Sequence, residues 1–435
     1  MSRLENSSSP QEDCSESKEN REKRPLRIVY IYQYFNTPQM SGGTRTYEMA
    51  RRLVRAGHTV HVVTSQRTPS REHKGWLTTR EDGVFVHWLP IPYANDFSYP
   101  KRMLAFFKFA ILSASKAASL DSNVVYASST PLTVAIPGIW TSWRKRVPMV
   151  FEVRDLWPDL PIAIGALKNP IARFLARLLE RTAYARSALV IALSPGMAEG
   201  VARTGYPPER IRVIPNSADL DVFGYSPSAA DRFRRNHPEL PTGHIFIYPG
   251  TLGRINGVGY LAELAAHLRD SAMEATIVVI GGGVEEGHVR NIAVELDVLG
   301  KNFFMFGKMS KQEIADAFSA ASLVFSCFVD LPEMEANSAN KFFDALASGT
   351  AVAINYGGWQ AELVREYGIG LVLPRDPGIA AEELAQWLAK PGAVSAAGLA
   401  ARELGKEKFA RDNLAAELER SLCKVVAVRS RNVEN

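Results

Sequence analysis

The chain has 435 residues, of which 46% are hydrophobic and 22% charged, and its formal net charge is +5. This length suffices for two or three folded domains, and no apolar stretch reaches the roughly 20 residues that span a bilayer. The charge alone does not exclude nucleic acid as a partner, but no basic run interleaved with aromatic residues and no zinc-finger spacing supports one. Cys14, Cys327 and Cys423 lie far apart, which favours a reducing compartment without disulfides.

The first half of the chain starts with a polar segment and continues as an alternating pattern. Residues 1–24 contain almost no apolar side chains, so we expect a disordered tail. In residues 25–215, helical patterns alternate with strand-like apolar runs, which are RIVYIY, HTVHVVT, GVFVHWL, NVVYAS, PMVFEV, ALVIAL and IRVIP. Such alternation predicts a parallel sheet with helices on both faces.

The second half repeats this pattern after a break. Residues 216–241 are polar and rich in Pro, Ser and Asn, which is typical of a linker with a short helix. Residues 242–410 then contain the runs HIFIYPG, ATIVVIGGG, NFFMFG, SLVFSC, TAVAIN and GLVLP, and a C-terminal helix and tail occupy 411–435. The pattern predicts two doubly wound, Rossmann-like domains with a cleft between them, in which ligands bind beside the loops that follow the strands.

Two adjacent glycines, Gly42 and Gly43, lie between the first predicted strand and the first predicted helix. A glycine loop in this position can direct backbone N–H groups and a helix dipole at an anion. An isolated glycine pair is also common in a merely flexible turn, so the pair alone leaves both interpretations open.

Charged residues follow the strands of the second half. Arg254 lies in a loop that leads into a helix, and Lys341 and Asp344 lie on the first turns of another helix. A guanidinium and an ammonium group near helix N-termini can hold a diphosphate, and a nearby carboxylate can accept hydrogen bonds from sugar hydroxyls. The alternatives are a surface ion pair for Arg254 and an i,i+3 pair between Lys341 and Asp344.

Another charged pair, Arg154 and Asp155, follows a strand of the first half in the segment EVRDLWPDL. These side chains are candidates for orienting an acceptor hydroxyl or a sugar, and the alternative is a buried structural ion pair. Hydrolase and oxidoreductase functions find less support, because the chain lacks G-x-S-x-G, H-E-x-x-H and a G-x-G-x-x-G after its first strand. His58 and His61 are expected to be structural.

Three segments resemble the two-domain GT-B glycosyltransferases of family 4: SGGTRTYEMARRLVRAGHTVHVVT, PGTLGRINGV and NKFFDALASGTAVAINYGGWQAEL. The resemblance extends from about Leu26 to the C-terminal helix. Within this family, YIYQYFNTPQMSGGTR, FEVRDLWPD and NSANKFFDALASG are similar to the WbuB-type N-acetyl-L-fucosamine transferases of bacterial surface-polysaccharide synthesis.

The resemblance implies a retaining sugar transfer from a UDP-sugar to a polyprenyl-diphosphate-linked saccharide in O-antigen or capsule synthesis, with no metal and no cofactor. The C-terminal domain would hold the donor and the N-terminal domain the acceptor. The implied donor-binding residues are Gly42, Gly43, Gly253, Asn256, Gly282, Gly283, Lys308, Ser338, Asn340 and Asp344. The catalytic candidates are Arg154, Asp155, Arg254, Glu335 and Lys341.

The chain departs from the family pattern at two positions. The family pairs two glutamates with seven residues between them, but this spacing back from Asp344 leads to Ala336, with Glu335 one place away. Either the loop shifts Glu335 into the expected place or the role is lost. The lysine that usually precedes the glycine of the arginine loop is Asn256 here, so Lys341 and Arg254 would supply the charge for the phosphates.

Other functions for the same architecture remain open. A UDP-sugar epimerase and a non-catalytic nucleotide-sugar-binding protein are both compatible with the two-domain pattern. The predicted helix that starts at Tyr99 interleaves apolar residues with Lys101, Arg102, Lys108 and Lys116. It is either an ordinary packed surface helix or a contact with an anionic membrane surface. We therefore expect a cytoplasmic protein bound peripherally to the inner face of the bacterial cytoplasmic membrane.

Overall fold

The computed structural model describes residues 24–40, 42–68, 75–94, 97–271 and 273–434. The expected disordered tail lies outside these residues, except for Arg24. Cys14 also lies outside them, and neither Cys327 nor Cys423 forms a disulfide in the described part of the chain.

The N-terminal domain is built on a single sheet that runs through its centre. Among the described residues its strands follow the order β3-β4-β2-β1-β5-β6-β7-β8, and only β3 runs antiparallel to its neighbour. The direction of winding reverses between β1 and β5. The strands are β1 Arg27–Ile31, β2 Thr59–Gln66, β3 Leu77–Glu81, β4 Val84–Pro90, β5 Val124–Ser128, β6 Met149–Val153, β7 Leu189–Ala192 and β8 Ile211–Val213.

Helices cover both faces of this sheet, which explains why its central strands are apolar along their whole length. Asn169 and Ser194 cap two of the helices, since their side chains accept hydrogen bonds from backbone N–H groups of the first turn. The helices are α1 Arg45–Arg55, α2 Tyr99–Ser119, α3 Ala135–Lys145, α4 Asp159–Ala163, α5 Pro170–Ala185 and α6 Pro195–Arg203.

The C-terminal domain has a smaller, entirely parallel sheet with the order β11-β10-β9-β12-β13-β14, which reverses between β9 and β12. Its strands are β9 His244–Pro249, β10 Ala275–Ile280, β11 Phe303–Phe306, β12 Leu323–Ser326, β13 Ala351–Ile354 and β14 Gly370–Val372. Its helices are α7 Pro227–Asn236, α8 Gly259–Asp270, α9 Glu286–Glu295, α10 Lys311–Ala320, α11 Asn340–Ser348, α12 Trp359–Tyr367, α13 Pro377–Leu388 and α14 Ala393–Glu407.

The prediction of two parallel-sheet α/β domains is confirmed, and every predicted strand is present. The predicted linker contains the expected short helix, α7, but this helix packs on α10 as part of the C-terminal domain. Phe233 of α7 lies in the domain core, and Arg232 pairs with Asp316 of α10 at 2.6 Å.

The last helix, α15 Arg411–Glu434, returns to the N-terminal domain. Leu414, Leu418 and Leu422 pack in the same apolar core as Leu26, which directly precedes β1. The two segments that connect the domains also contact each other, because the Ala218 N–H donates to the Phe409 carbonyl at 2.8 Å. None of the helices in the described part of the chain is both long enough and apolar enough to cross a membrane.

Candidate active site in the cleft between the domains

The loops at both reversal points face a common cleft. In doubly wound sheets, ligands bind outside the carboxyl ends of the strands at such points. Residues after β12 contact the N-terminal domain directly: the Ser194 hydroxyl donates to the Ala336 carbonyl at 2.5 Å, and the Asn216 side chain donates to the Ser338 carbonyl at 2.6 Å. The domains therefore meet at the ends of their central strands.

The glycine loop after β1 reaches across this cleft. Gly42 has φ +125°, and a Cβ atom there would lie 2.7 Å from Asn36 Nδ2, so the position requires glycine. A Cβ on Gly43 would lie 3.4 Å from Asn340 Nδ2 of the C-terminal domain. The Asn36 amide donates to the Gly43 carbonyl at 3.2 Å and holds the loop. Gly43 thus faces the C-terminal domain across the cleft, and Gly42 precedes it in the same loop.

A buried ion pair that the sequence analysis missed anchors the helix behind this loop. Arg45, the first residue of α1, pairs with Glu152 of β6 at 2.9 Å and also donates to the Ile214 carbonyl. Burial alone would raise the pKa of Glu152, but the Arg45 guanidinium and hydrogen bonds from Ser128 and Tyr126 outweigh it and lower this pKa. The sequence does indicate this ion pair at one position, because Glu152 is a glutamate inside an otherwise apolar strand.

The arginine loop after β9 lies against the loop after β10. Gly253 precedes a 3-10 turn over Arg254–Asn256, and the Asn256 side chain accepts a hydrogen bond from the Gly253 N–H at 3.3 Å. The Arg254 side chain is 86% exposed and lies 3.7 Å from Glu285. Because a Cβ on Gly283 would lie 2.2 Å from the Leu252 carbonyl oxygen, only glycine permits this contact.

Two further predicted donor-binding residues lie beside this loop. A Cβ on Gly282 would be 3.3 Å from the Glu286 carboxylate and 3.8 Å from Lys308 Cε. Lys308 follows β11 and is exposed. The loops after β9, β10 and β11 thus bring Arg254, Gly282 and Lys308 to one edge of the sheet.

Lys341 approaches the arginine loop from a different element, the first turn of α11. Its Nζ donates to the Tyr248 hydroxyl at 3.1 Å and lies 4.3 Å from the centre of that ring. A Cβ on Gly250 would be 3.5 Å from Lys341 Cε. Burial lowers the pKa of Lys341 to about 8, and no carboxylate within the described ranges pairs with it. Lys341 is therefore an uncompensated cation beside the loop that leads to Arg254.

Asp344 lies one turn further along α11. Burial raises its pKa to about 7, although the Lys311 and Arg411 side chains act in the opposite direction. These two cations are themselves ion-paired with Asp219, and Arg411 also lies 3.3 Å from Glu48 of α1. Asp344 does not pair with Lys341 in the described structure, so the alternative of a simple i,i+3 ion pair is not supported.

Glu335 and Ala336, at and beside the position expected for the motif glutamate, contact different parts of the molecule. Glu335 is exposed and lies against the loop after β13, since a Cβ on Gly357 would be 2.9 Å from Glu335 Oε1. Ala336 packs instead against Gly196 of the N-terminal domain. Ser338 is buried, and its hydroxyl accepts a hydrogen bond from the Asn216 N–H at 3.2 Å, so this side chain is engaged at the domain junction.

Arg154 and Asp155 follow β6 on the opposite wall of the cleft. Asp155 accepts a hydrogen bond from the Thr130 hydroxyl at 2.7 Å, and burial raises its pKa. The Arg154 guanidinium instead lies over the Tyr32 ring, 4.6 Å from its centre. Arg154 and Asp155 do not form an ion pair with each other, so the alternative of a buried structural ion pair between them is not supported.

One cluster outside the cleft has the residue types of a metal site. Ligand atoms of His58, Glu419 and Cys423 lie within 4.8 Å of one another. However, His58 Nδ1 accepts a hydrogen bond from the Leu26 N–H at 3.0 Å, which places the proton of the neutral ring on Nε2, the atom facing Glu419. A protonated Nε2 cannot bind a metal, so the cluster fits a structural contact in which His58, just before β2, joins α15 to the start of β1. His61 stacks on His87.

Comparison with known proteins agrees with this arrangement. Residues 42–217 match the glycosyl transferase 4-like domain family, and residues 230–404 match the glycosyl transferases group 1 family. The chain is 25% identical over 295 residues to a protein described as the colanic acid biosynthesis glycosyl transferase WcaI of Escherichia coli (strain K12), covering 63% of this chain and 71% of that one.

Solved structures share the fold. HepE of Anabaena, solved in complex with UDP and glucose, has a TM-score of 0.69 and 15% identity over 92% of this chain and 100% of that chain. Sucrose-phosphate synthase of Thermosynechococcus elongatus has a TM-score of 0.72 and 18% identity over 93% and 100%. Two matched domains, two parallel sheets and a cleft between them identify the chain as a glycosyltransferase of the GT-B fold, with family 4 and group 1 domains.

Proposed function

We propose that this glycosyltransferase moves a sugar from a UDP-sugar to a lipid-linked saccharide during bacterial surface-polysaccharide synthesis, with retention at the anomeric carbon. The observation that carries the proposal is the position of two cations beside one strand-exit loop and opposite the glycine loop. Lys341 has no carboxylate partner among the described residues, and Arg254 is exposed. Support also comes from the UDP and glucose in the HepE structure and from the colanic acid assignment of WcaI.

The chemistry requires departure of a diphosphate from the sugar. Arg254 and Lys341 would stabilise the negative charge that develops on it, and backbone N–H groups at Gly42 and Gly43 would approach from the other domain. Asp344 would accept hydrogen bonds from the ribose hydroxyls. No side-chain nucleophile is needed if the acceptor attacks from the face that the leaving group vacates, so positioning and exclusion of water supply the rest.

The remaining candidates would orient the reacting groups. Glu335, which lies against the loop after β13, would contact the donor sugar in the role of the displaced motif glutamate. Arg154 and Asp155 lie on the acceptor wall, where a guanidinium over Tyr32 and a buried carboxylate can bind hydroxyl or phosphate groups. Gly253, Asn256, Gly282, Gly283, Lys308, Ser338 and Asn340 would line the donor pocket or hold its loops.

We propose that the reaction needs no metal, because the side chains of Arg254 and Lys341 would neutralise the diphosphate in place of a metal. The test is an activity assay after exhaustive chelation. We expect full activity in the chelator-treated enzyme. Loss of activity that added magnesium or manganese restores would contradict a metal-independent mechanism.

We further propose attachment to an anionic membrane surface through the face formed by α2, α3 and α5. Helix α2 packs on α3, and α3 packs on α5. The face exposes large apolar side chains, which are Leu104, Phe107, Ile111, Leu112, Trp140, Trp143, Ile171, Phe174, Leu175 and Leu178. Basic residues, including Lys101, Lys108 and Arg144, surround them. Apolar burial combined with basic charge is typical of interfacial attachment.

The donor is best tested by a thermal-shift screen of UDP-sugars, including UDP-linked N-acetylated deoxyhexosamines, followed by incubation with a polyprenyl-diphosphate-linked saccharide. We expect stabilisation by one donor and formation of a longer lipid-linked saccharide. Conversion of the UDP-sugar without acceptor would favour an epimerase, and binding without turnover would favour a non-catalytic protein.

A further inference from the structure

A cluster of tyrosines lies at the N-terminal wall of the cleft, beyond the end of β1. The rings of Tyr32 and Tyr34 are 6.3 Å apart, and those of Tyr34 and Tyr93 are 5.1 Å apart. Tyr93 also stacks on Phe106 of α2 at 5.7 Å. The cluster therefore connects the start of the glycine loop to the first turns of α2.

Two arginines enter this cluster from opposite ends. The Arg154 guanidinium lies over Tyr32, and Arg102, on the first turn of α2, is close enough to Tyr34 to act electrostatically on its hydroxyl. Arg154 Nη1 and Arg102 Nε are buried atoms without a hydrogen-bond partner among the described residues. Within the same residues neither arginine forms an ion pair. Asp155, the neighbour of Arg154 in the chain, accepts a hydrogen bond from Thr130 instead. Two half-buried guanidinium groups thus keep unpaired N–H donors at the two ends of the cluster, while Glu152 and Asp155 act electrostatically on Arg154.

A second observation at the same strand end points to a ligand. Gln33, between Tyr32 and Tyr34 in the chain, is fully buried, and neither its Nε2 nor its Oε1 has a hydrogen-bond partner in the part of the chain that the structure describes. Buried amide groups are normally paired, since leaving one unpaired is energetically costly. Gln33 therefore contributes an unpaired amide at the same strand end as Tyr32.

The cluster is separate from the cations assigned to the donor. Arg254 and Lys341 lie on the C-terminal domain, whereas Arg102 and Arg154 lie on the N-terminal domain. Arg67 connects the tyrosine cluster to the glycine loop. Its carbonyl accepts a hydrogen bond from the Tyr93 N–H at 3.2 Å, its guanidinium donates to Asn36 at 2.5 Å, and Asn36 donates to the Gly43 carbonyl. A ligand in the cluster would thus lie next to the glycine loop on the acceptor side.

We propose that Arg102 and Arg154, together with Tyr32, Tyr34 and Tyr93, bind the diphosphate of the lipid-linked acceptor. This inference rests on the proposed function and specifies how the acceptor is recognised. Guanidinium groups bind phosphate oxygens in a bidentate manner, and tyrosine hydroxyls donate without adding negative charge. Because Arg102 is on the first turn of α2, the lipid chain would leave the site beside the face formed by α2, α3 and α5.

The test measures binding of geranyl diphosphate, a short soluble polyprenyl diphosphate, by calorimetry with UDP at saturation. We expect wild-type binding, a loss of about tenfold or more in Arg102→Gln, and a smaller loss in Arg102→Lys, which keeps the charge. Geraniol, which lacks phosphate, should bind far more weakly. Arg80→Gln is the matched control, since Arg80 lies over the Phe85 ring in the same domain at 5.3 Å.

The outcomes separate this inference from the proposed function. UDP affinity should stay within about twofold of wild type in Arg102→Gln and Arg102→Lys. Displacement of geranyl diphosphate by UDP would assign the site to the donor and overturn the inference, as would equal affinities in wild type and Arg102→Gln. Absence of UDP binding in the wild type would instead contradict the proposed function itself.

Discussion

Gly43 of the N-terminal domain and Asn340 of the C-terminal domain face each other so closely that a Cβ on the glycine would lie 3.4 Å from the amide nitrogen. The first residue of α11 and the glycine loop therefore lie close together across the cleft. A side chain larger than a methyl group at position 43 would extend into the space beside Asn340.

We expect Gly43→Ala to retain activity and Gly43→Leu to lose most of it, because leucine would fill the gap that closure around the donor requires. The thermal midpoint of Gly43→Leu should stay near that of wild type, since the added side chain lies in the cleft and not in a core. Steady-state kinetics with the donor identifies the effect. Gly224→Leu is the control, because a Cβ there meets nothing within 4 Å, and equal activities for both leucine variants would contradict the assignment.

The pKa of about 8 for Lys341 predicts a pH dependence of UDP binding. The ammonium group is charged below pH 8 and neutral above it, so affinity should fall by up to about tenfold per pH unit above pH 8. In Lys341→Arg the charge persists, and the decrease between pH 8 and pH 9 should disappear. Calorimetric titrations at several pH values decide this, and an identical decrease in both proteins would exclude Lys341 as its origin.

Asp344 predicts the opposite dependence. With a pKa near 7, its carboxylate is protonated as the pH falls below 7 and then accepts hydrogen bonds less well. Uridine, which carries no phosphate, should therefore bind more weakly at pH 6 than at pH 8. Asp344→Asn should remove this difference and weaken binding at pH 8, whereas Asp344→Glu should bind like wild type. Unchanged uridine affinity in Asp344→Asn at pH 8 would remove Asp344 from the site.

Arg254→Ala should lower turnover by about 10²–10³, because in the proposed reaction the guanidinium would face the position where charge develops on the leaving group. Its high exposure means that folding stability should hardly change. Glu285→Gln provides the control, since it removes the 3.7 Å ion pair but keeps the cation. Activity of Arg254→Ala within about threefold of wild type would end the assignment.

Attachment to membranes can be tested by sedimentation with anionic liposomes. We expect Lys101→Glu/Lys108→Glu and Trp140→Ser/Trp143→Ser each to reduce the pelleted fraction, the first pair most strongly at low salt because charge attraction is screened at high salt. The control pair, Lys301→Glu/Lys390→Glu, lies on the exposed surface of the C-terminal domain. Equal recovery for all proteins at both salt concentrations would identify the face as an ordinary solvent-exposed surface.

The parallel sheets were predictable because both of their faces are covered, which requires uninterrupted apolar strands. Strand β3 was not predicted, since its LTTRE sequence is polar and half exposed at the edge of the sheet. The sequence feature that indicates β3 is the dipeptide Asp82-Gly83, which is typical of a hairpin turn. Both residues have positive φ and join β3 to β4.

For the candidate site, the sequence predicts which loops line the cleft but not the contacts that their side chains make. Gly42, Arg254 and Lys341 follow strands, so topology alone brings them to the cleft. By contrast, the contact of Arg411 with Glu48 joins residues far apart in the sequence, and no periodicity or motif indicates such a pair. The shift of Glu335 against Gly357 likewise depends on the path of the loop.

The hydrogen bond from Ala218 to Phe409 joins the two segments by which the chain passes between the domains. A single connection would leave the domains free to reorient about several axes, but two connections fastened side by side restrict them to rotation about the line on which both lie. Arg411, which follows one connection, is ion-paired with Asp219, which follows the other. We therefore expect the cleft to open and close by rotation about this pair of connections, which would alter the separation of Gly43 and Asn340 without stretching either connection.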